Sequence, residues 1–175
     1  TPMLETPGSV AERLGLPEEK TAAHLEDMAL RGLVFRQKKG DMVRYAAVPF
    51  VVGIYEFQLN RVDRELAEDL GAYYEAALGK TFQSWSTPVM RSIPINAEIV
   101  SQWPIAPYED AMAIIDAQKT IAVADCICRT TAQLAGEGCD RPLEACFLFG
   151  SHGRYYVDNG MGRFIEKEEA RAIIR

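Results

Sequence analysis

All four cysteines of this 175-residue chain lie within one short stretch, at Cys126, Cys128, Cys139 and Cys146. Thiolates are the usual ligands of structural Zn(II) and of iron-sulfur clusters. In a reducing compartment, a tight group of cysteines is more often metal-binding or catalytic than disulfide-bonded. A chain of this length buries a core without needing disulfides. The residue types therefore predict a metal site built from these four side chains.

The spacing of the thiols is C-x-C-x10-C-x6-C, and two kinds of metal site are considered for it, a zinc site and an iron-sulfur cluster. Structural zinc sites commonly place about two to four residues between the members of each ligand pair, which neither pair matches. A four-iron cluster takes one thiolate per iron, and its ligands need not crowd one ion. The spacing therefore favours an iron-sulfur cluster and leaves zinc as the alternative.

Other residues in and near this stretch give weaker signals for chemistry. His152, six residues after Cys146, is interpreted as a surface loop residue rather than a ligand, and His24 is assigned no role. A nucleophilic Cys126 would need a base and an orienting acid, and four clustered thiols favour ligation instead. The NGMGRF segment lacks the Lys-Ser/Thr of a phosphate loop and is interpreted as a turn between short strands. No catalytic residue is predicted.

The elements around the cysteines predict how the thiols are brought together. Val89–Ile95 is predicted as a strand, Pro107–Gln118 as a helix and residues 120–124 as a buried strand that runs directly into Cys126. If the chain stays extended there, Cys126 and Cys128 face the same side. Cys139 follows a glycine turn, and Cys146 is placed on a short helix after Pro142.

The N-terminal residues 1–48 have the pattern of a winged helix. Two short amphipathic helices precede residues 33–48, which alternate around Lys39, Gly40 and Asp41 as a β-hairpin does. This segment resembles the winged helix-turn-helix domains of small bacterial transcription regulators. The second helix is mostly acidic and the net charge is −6, so only weak, non-specific DNA binding is expected. The basic residues of the wing would carry it: Arg36, Lys38, Lys39 and Arg44.

Residues 49–80 are predicted to form one long linking helix. Apolar residues recur every three or four positions, which indicates a helix partner in the same chain or in a twofold-related copy. The recurring positions are Tyr55, Leu59, Val62, Leu66, Leu70, Tyr73 and Ala77. A homodimer through this helix is one possible assembly.

The fold class predicted is therefore α/β (α+β), with a winged helix at 1–48, a linking helix at 49–80 and a cysteine-cluster module at 81–175. No apolar run reaches the roughly 18 residues of a membrane span, and no signal peptide is recognisable. A cytoplasmic location is expected, without a membrane partner. Because the chain stops within a predicted helix at 166–175, it is interpreted as part of something longer.

The run DCICRTTAQLAGEGCDRPLEACFLFG, followed by YYVDNGMGRFIEKEEA, resembles a group of bacterial and archaeal iron-sulfur proteins. In that group a C-x-C-R segment, a GC-D-PLE-C segment and a G-x-GR-x-I turn precede a C-terminal ferredoxin-type module. The resemblance implies a 4Fe-4S cluster held by Cys126, Cys128, Cys139 and Cys146, and a function in electron transfer or redox sensing with a redox partner protein. The chain departs from the group because no further cysteine follows. The alternatives are a redox- or metal-responsive winged-helix regulator and a zinc-stabilised interaction protein.

Overall fold

The computed structural model describes residues 3–86 and 111–174. These residues form eight α-helices and two small antiparallel sheets, so the chain is a mixed α/β protein. The predicted strand Val89–Ile95 and the predicted helix start at Pro107 lie outside the described residues. Within those residues, no helix has the length and apolar character needed to cross a membrane.

Two helices open the chain, α1 (Pro7–Leu14) and α2 (Glu18–Leu30). The Thr6 hydroxyl oxygen accepts the Ser9 N–H at 3.2 Å, which satisfies a free donor at the start of α1. Glu18 and Glu19 occupy the first turn of α2, where carboxylates interact favourably with the helix dipole. Both predicted helices are confirmed.

The predicted hairpin is also confirmed, as β1 (Phe35–Lys39) paired antiparallel with β2 (Met42–Ala46). Lys39 pairs with Met42, which leaves Gly40 and Asp41 as a two-residue turn. Gly40 has a φ of 59°, a backbone conformation that favours glycine in tight hairpins. Two helices followed by a hairpin agree with the winged-helix pattern, and that assignment stays a prediction.

The prediction of one helix over 49–80 is wrong. Val51, Val52 and Gly53 have non-helical backbone angles, and only a short turn, Glu56–Gln58, follows them. Gly53 approaches Val48 so closely that an added Cβ would lie 2.9 Å from the Val48 Cβ. The regular helix starts at α3 (Arg64–Tyr73) and continues through a π-helical turn (Tyr74–Leu78) into α4 (Gly79–Ser84).

A new helix starts at residue 64 because Asp63 caps it. The Asp63 carboxylate accepts the Leu66 N–H at 2.9 Å, and Asp63 itself has an extended backbone. The apolar seam is therefore divided between an irregular segment, which contains Tyr55 and Leu59, and a helix, which contains Leu66 and Leu70. All four side chains are half-buried, in agreement with the prediction that this side of the segment packs inward. The last two positions of the predicted seam, Tyr73 and Ala77, are exposed, so the prediction holds only in part.

The second half of the described chain builds a three-stranded antiparallel sheet in the order β4-β3-β5. Its elements are α5 (Ala111–Ala117), β3 (Ile121–Asp125), α6 (Ile127–Leu134), β4 (Glu144–Phe149), α7 (Gly150–Asp158), β5 (Gly162–Ile165) and α8 (Lys167–Ile174). The predicted strand after residue 120 and the predicted C-terminal helix are both present. The NGMGRF segment connects a helix to a strand, so its interpretation as a turn between two strands is wrong.

One hydrophobic core joins the first part of the chain to the second. Phe35 of β1 and Phe57 pack with Tyr155 of α7, with ring centroids 5.4 and 4.5 Å from that of Tyr155. The Tyr155 hydroxyl donates to the Ala29 carbonyl at 2.8 Å, so the buried polar group is satisfied. Residues of the predicted winged helix and of the predicted cysteine module thus share one interior.

Packing of the wing against α7 corrects the prediction that Arg36 could contact DNA phosphate. Arg36 is 3% exposed and forms an ion pair with Glu26, and its guanidinium lies 3.8 Å from the Asp158 carboxylate on α7. Arg36 is therefore not available to contact phosphate. Lys38 lies 3.7 Å from the same carboxylate, while Arg44 donates to the Gln37 side chain at 2.6 Å.

Candidate metal centre

The central strand β3 delivers Cys126 to the edge of the sheet. Its residues Ile121–Ala124 are all buried, and the strand ends at the exposed Asp125. The Cys126 N–H donates to the Leu143 carbonyl at 2.8 Å, which closes the end of the sheet beside β4. Cys126 is half-buried, so its thiol lies at the boundary between the core and the surface.

Cys128 lies in the first turn of α6 rather than on an extended chain. Cys126 is the N-terminal cap of this helix, and Ile127 begins it with a buried side chain. The prediction that an extended chain places Cys126 and Cys128 on the same side is therefore wrong, because Cys128 lies on a helix. A helix starts here because Ile127, Thr131 and Leu134 supply an amphipathic face at spacings of three and four residues.

Cys146 lies on β4, not on the short helix predicted after Pro142. It pairs with Ala124 of β3 in antiparallel register, and the register shifts between Ala124 and Asp125. This irregularity locally bends the pair of strands beside Cys126, as β-bulges commonly do near functional sites. The paired strands β3 and β4 and the start of α6 thus bring Cys126, Cys128 and Cys146 together at one edge of the sheet. We call this group of three residues the thiol corner.

These three thiols interact directly. The thiols of Cys128 and Cys146 hydrogen-bond to the Cys126 sulfur, which lowers the pKa of Cys126. The backbone N–H groups of Arg129 and Cys128 also favour its thiolate. The same contacts with Cys126, followed by burial, raise the pKa of Cys128 and of Cys146. The corner therefore favours one thiolate between two protonated thiols.

Cys139 lies on the loop between α6 and β4 and is exposed. Two contacts fix the later part of this loop: Arg129 donates to the Pro142 carbonyl, and Leu143 accepts from Cys126. Gln133 of α6 donates to the Cys139 carbonyl at 3.4 Å. Cys139 has no resolved interaction with the other three thiols, so the structure brings together three of the four predicted ligands and tethers the fourth nearby.

Tyr55 is a neighbour of the thiols that the sequence did not identify as functional. Its hydroxyl shares a 3.0 Å hydrogen bond with the Thr131 hydroxyl of α6 and also interacts with Cys128. Burial raises the pKa of Tyr55 to about 12, so the phenol is protonated at neutral pH. Only its place in the apolar seam could have been recognised from the sequence, because the contact joins residues 76 positions apart.

Neither histidine belongs to the corner in this structure. His152 lies on α7, with its ring stacked on Phe35 at a centroid distance of 4.4 Å. It is exposed, as predicted for a surface residue, but it lies on a helix and not in a loop. His24 is exposed on α2.

The donor set fits a group that needs four thiolates. All four cysteines are free, three are in contact, and the fourth lies on a loop joined to both α6 and Cys126. Within residues 3–86 and 111–174, no three His, Cys, Asp or Glu side chains are already arranged as a metal-binding group. Thiolates suit both zinc and iron-sulfur clusters, so the donor chemistry alone leaves both open.

Comparisons with protein-family models, curated proteins and solved structures found no match to this chain.

Proposed function

We propose that this chain is an iron-sulfur protein that acts in electron transfer or redox sensing. Its Cys126, Cys128, Cys139 and Cys146 would hold a 4Fe-4S cluster. The observation that carries the proposal is the contact of Cys126 with both Cys128 and Cys146 at the end of β3. When bound, such a cluster supplies one-electron redox chemistry.

The surroundings of the thiols support a redox centre near the surface. Cys128 and Cys139 are exposed, whereas Cys126 and Cys146 are half-buried beside the core. A cluster held there would be protected on one side and open to a partner on the other. The N–H groups at the start of α6 would stabilise negative charge on the Cys126 sulfur, and such hydrogen bonds tune cluster potentials.

The regulator alternative is weakened by the position of Arg36. With that guanidinium buried against Glu26, the remaining cations of the wing are the exposed Lys38 and Lys39 and the half-buried Arg44. Lys38 and Arg44 already have partners of their own. Few phosphate contacts remain, so affinity for duplex DNA is expected to be weak and to change little with salt. Anisotropy titration with duplex DNA tests this point, and nanomolar, sequence-selective binding would favour the regulator.

Anaerobic purification of the protein, with metal and sulfide analysis, tests the main proposal. We expect visible absorption from sulfur-to-iron charge transfer, and about four iron and four acid-labile sulfide per chain. After chemical reduction, electron paramagnetic resonance should show a reduced cluster. About one zinc per chain, without sulfide, would instead identify the zinc-stabilised interaction protein.

A further inference from the structure

An elongated groove of about 440 Å³ lies directly beside Cys128. One wall is the helical stretch α3–α4, and the other is α6 with the start of the following loop. Along the first wall, apolar lining residues recur at helical spacing from Ala67 through Leu70, Tyr74 and Leu78 to Phe82. These fifteen residue steps correspond to roughly 22 Å of helix. The volume alone would also suit a small molecule, so it is the length of this apolar line that favours a helix segment.

The described residues cover this apolar wall only in part: Ala67 is buried and Leu70, Leu78 and Phe82 are half-buried. Tyr74 is 52% exposed, although its ring lies against Gly79, where an added Cβ would be 3.2 Å from the ring. An apolar helix face that is left partly exposed at such spacing can accept a further packing element. Two helices with a groove between them form the standard receptor for a third amphipathic helix.

The charge of the groove restricts what this third helix can be. Glu56, Glu75 and Glu137 line it, and among the described residues it has no lining Lys or Arg. Phosphate-bearing ligands would be repelled. A second copy of the same helix is also disfavoured, because residues 64–84 contain four acidic and only two basic residues.

We infer that this groove docks a basic amphipathic helix of a partner protein. The partner's apolar face would pack against Leu70, Tyr74 and Leu78, while its lysines or arginines would pair with Glu75 and Glu137. The inference goes beyond the proposed function and does not depend on which metal the thiols bind. Its location would place a docked helix in contact with Cys128.

Fluorescence anisotropy of a labelled peptide tests the inference on the purified, metal-loaded chain. The probe is a helical peptide of about 18 residues, with leucines on one face and lysines on the other. We expect saturable one-to-one binding that weakens with salt. A peptide with the same leucines and glutamates in place of the lysines should not bind.

Matched variants locate the site. Glu75→Lys should weaken binding about fivefold or more, because it reverses a charge in the groove. Asp69→Lys makes the same charge change on the opposite side of the helix and should have little effect. Tyr74→Ala should also weaken binding, whereas Tyr73→Ala, at a neighbouring exposed tyrosine outside the groove, should not.

Three results would overturn the inference. Equal losses in Glu75→Lys and Asp69→Lys would show attraction to net charge only, and equal binding of the two peptides would remove the role of the carboxylates. Absence of binding would mean that the groove is not a free docking surface, as when other residues of the chain cover it. None of these results bears on metal content, so the two proposals can fail separately.

Discussion

The aromatic core around Tyr155 and the thiol corner around Cys126 are built in opposite ways. In the core, Phe57 and Tyr155 are at most 2% exposed, and their rings and the Tyr155 hydroxyl already have partners. In the corner, half-buried and exposed thiols have mainly one another as partners. The groups in the core already have protein partners and need no ligand, whereas the corner contains thiols that could bind a metal. Stability is therefore expected to depend on the first region and metal binding on the second.

The largest expected effect is the loss of metal binding when cysteines of the thiol corner are substituted. Cys146→Ser should abolish metal binding, and Cys126→Ser, Cys128→Ser and Cys139→Ser should remove or destabilise the centre, because each removes one of the four proposed thiolate ligands. Metal analysis per chain measures this, with Ala145→Ser on the same strand as the matched control. Full metal content in all four variants would show that the ligand assignment is wrong.

The core should respond to the removal of a ring. Phe57→Ala is expected to lower the free energy of unfolding by roughly 3–5 kcal/mol, because it leaves a cavity among packed rings. Urea denaturation of the metal-free chain measures the loss, and Val52→Ala, at a 60% exposed position, is the control. A loss below about 1 kcal/mol would contradict the assignment of Phe57 to the central core.

Tyr55 connects the two regions and should give an intermediate effect. Tyr55→Phe removes the hydroxyl that is hydrogen-bonded to Thr131 and interacts with Cys128, at an expected cost of about 1 kcal/mol. It should also alter the spectrum or the potential of the loaded protein, because a hydrogen-bond donor near a ligand sulfur is lost. Tyr73→Phe is the control. An unchanged spectrum and potential would limit Tyr55 to a packing role.

His152 should give the smallest effect, and it is pH-dependent. His152 is exposed as a residue, but one face of its ring is stacked on Phe35 and shielded from water. This desolvation lowers the pKa of His152 below its ordinary value of 6.5, so the neutral ring is favoured in the folded protein. Its contribution to stability is therefore complete above pH 6.5 and is lost as the pH falls through 6.5 toward the folded-state pKa. Thermal unfolding of His152→Gln should show a shallower decline over that range. Identical pH profiles would mean that the stack on Phe35 does not affect protonation.

Local signals in the sequence were sufficient where neighbouring residues decide the structure. The Thr6 cap, the Gly40 turn and the apolar run at 120–124 each act over a few residues, and each predicted its element correctly. The four-cysteine grouping likewise identified three side chains that meet in the fold. Periodicity misled over 49–80, because the same spacing of apolar residues serves a helix after Asp63 and an irregular, core-packed segment before it.

The sequence by itself determined the mixed α/β composition, the hairpin, the β3 strand and the grouping of the four cysteines, because these follow from local backbone preferences and from the order of the residues. Only the tertiary structure decided that Cys146 lies on a strand, since β3 needs a neighbour for its backbone hydrogen bonds. Tertiary structure alone also buried Arg36, because its partners Glu26 and Asp158 lie on two different helices and Asp158 comes from the other half of the chain. Contacts across such separations depend on how the elements pack, which no short stretch of sequence encodes.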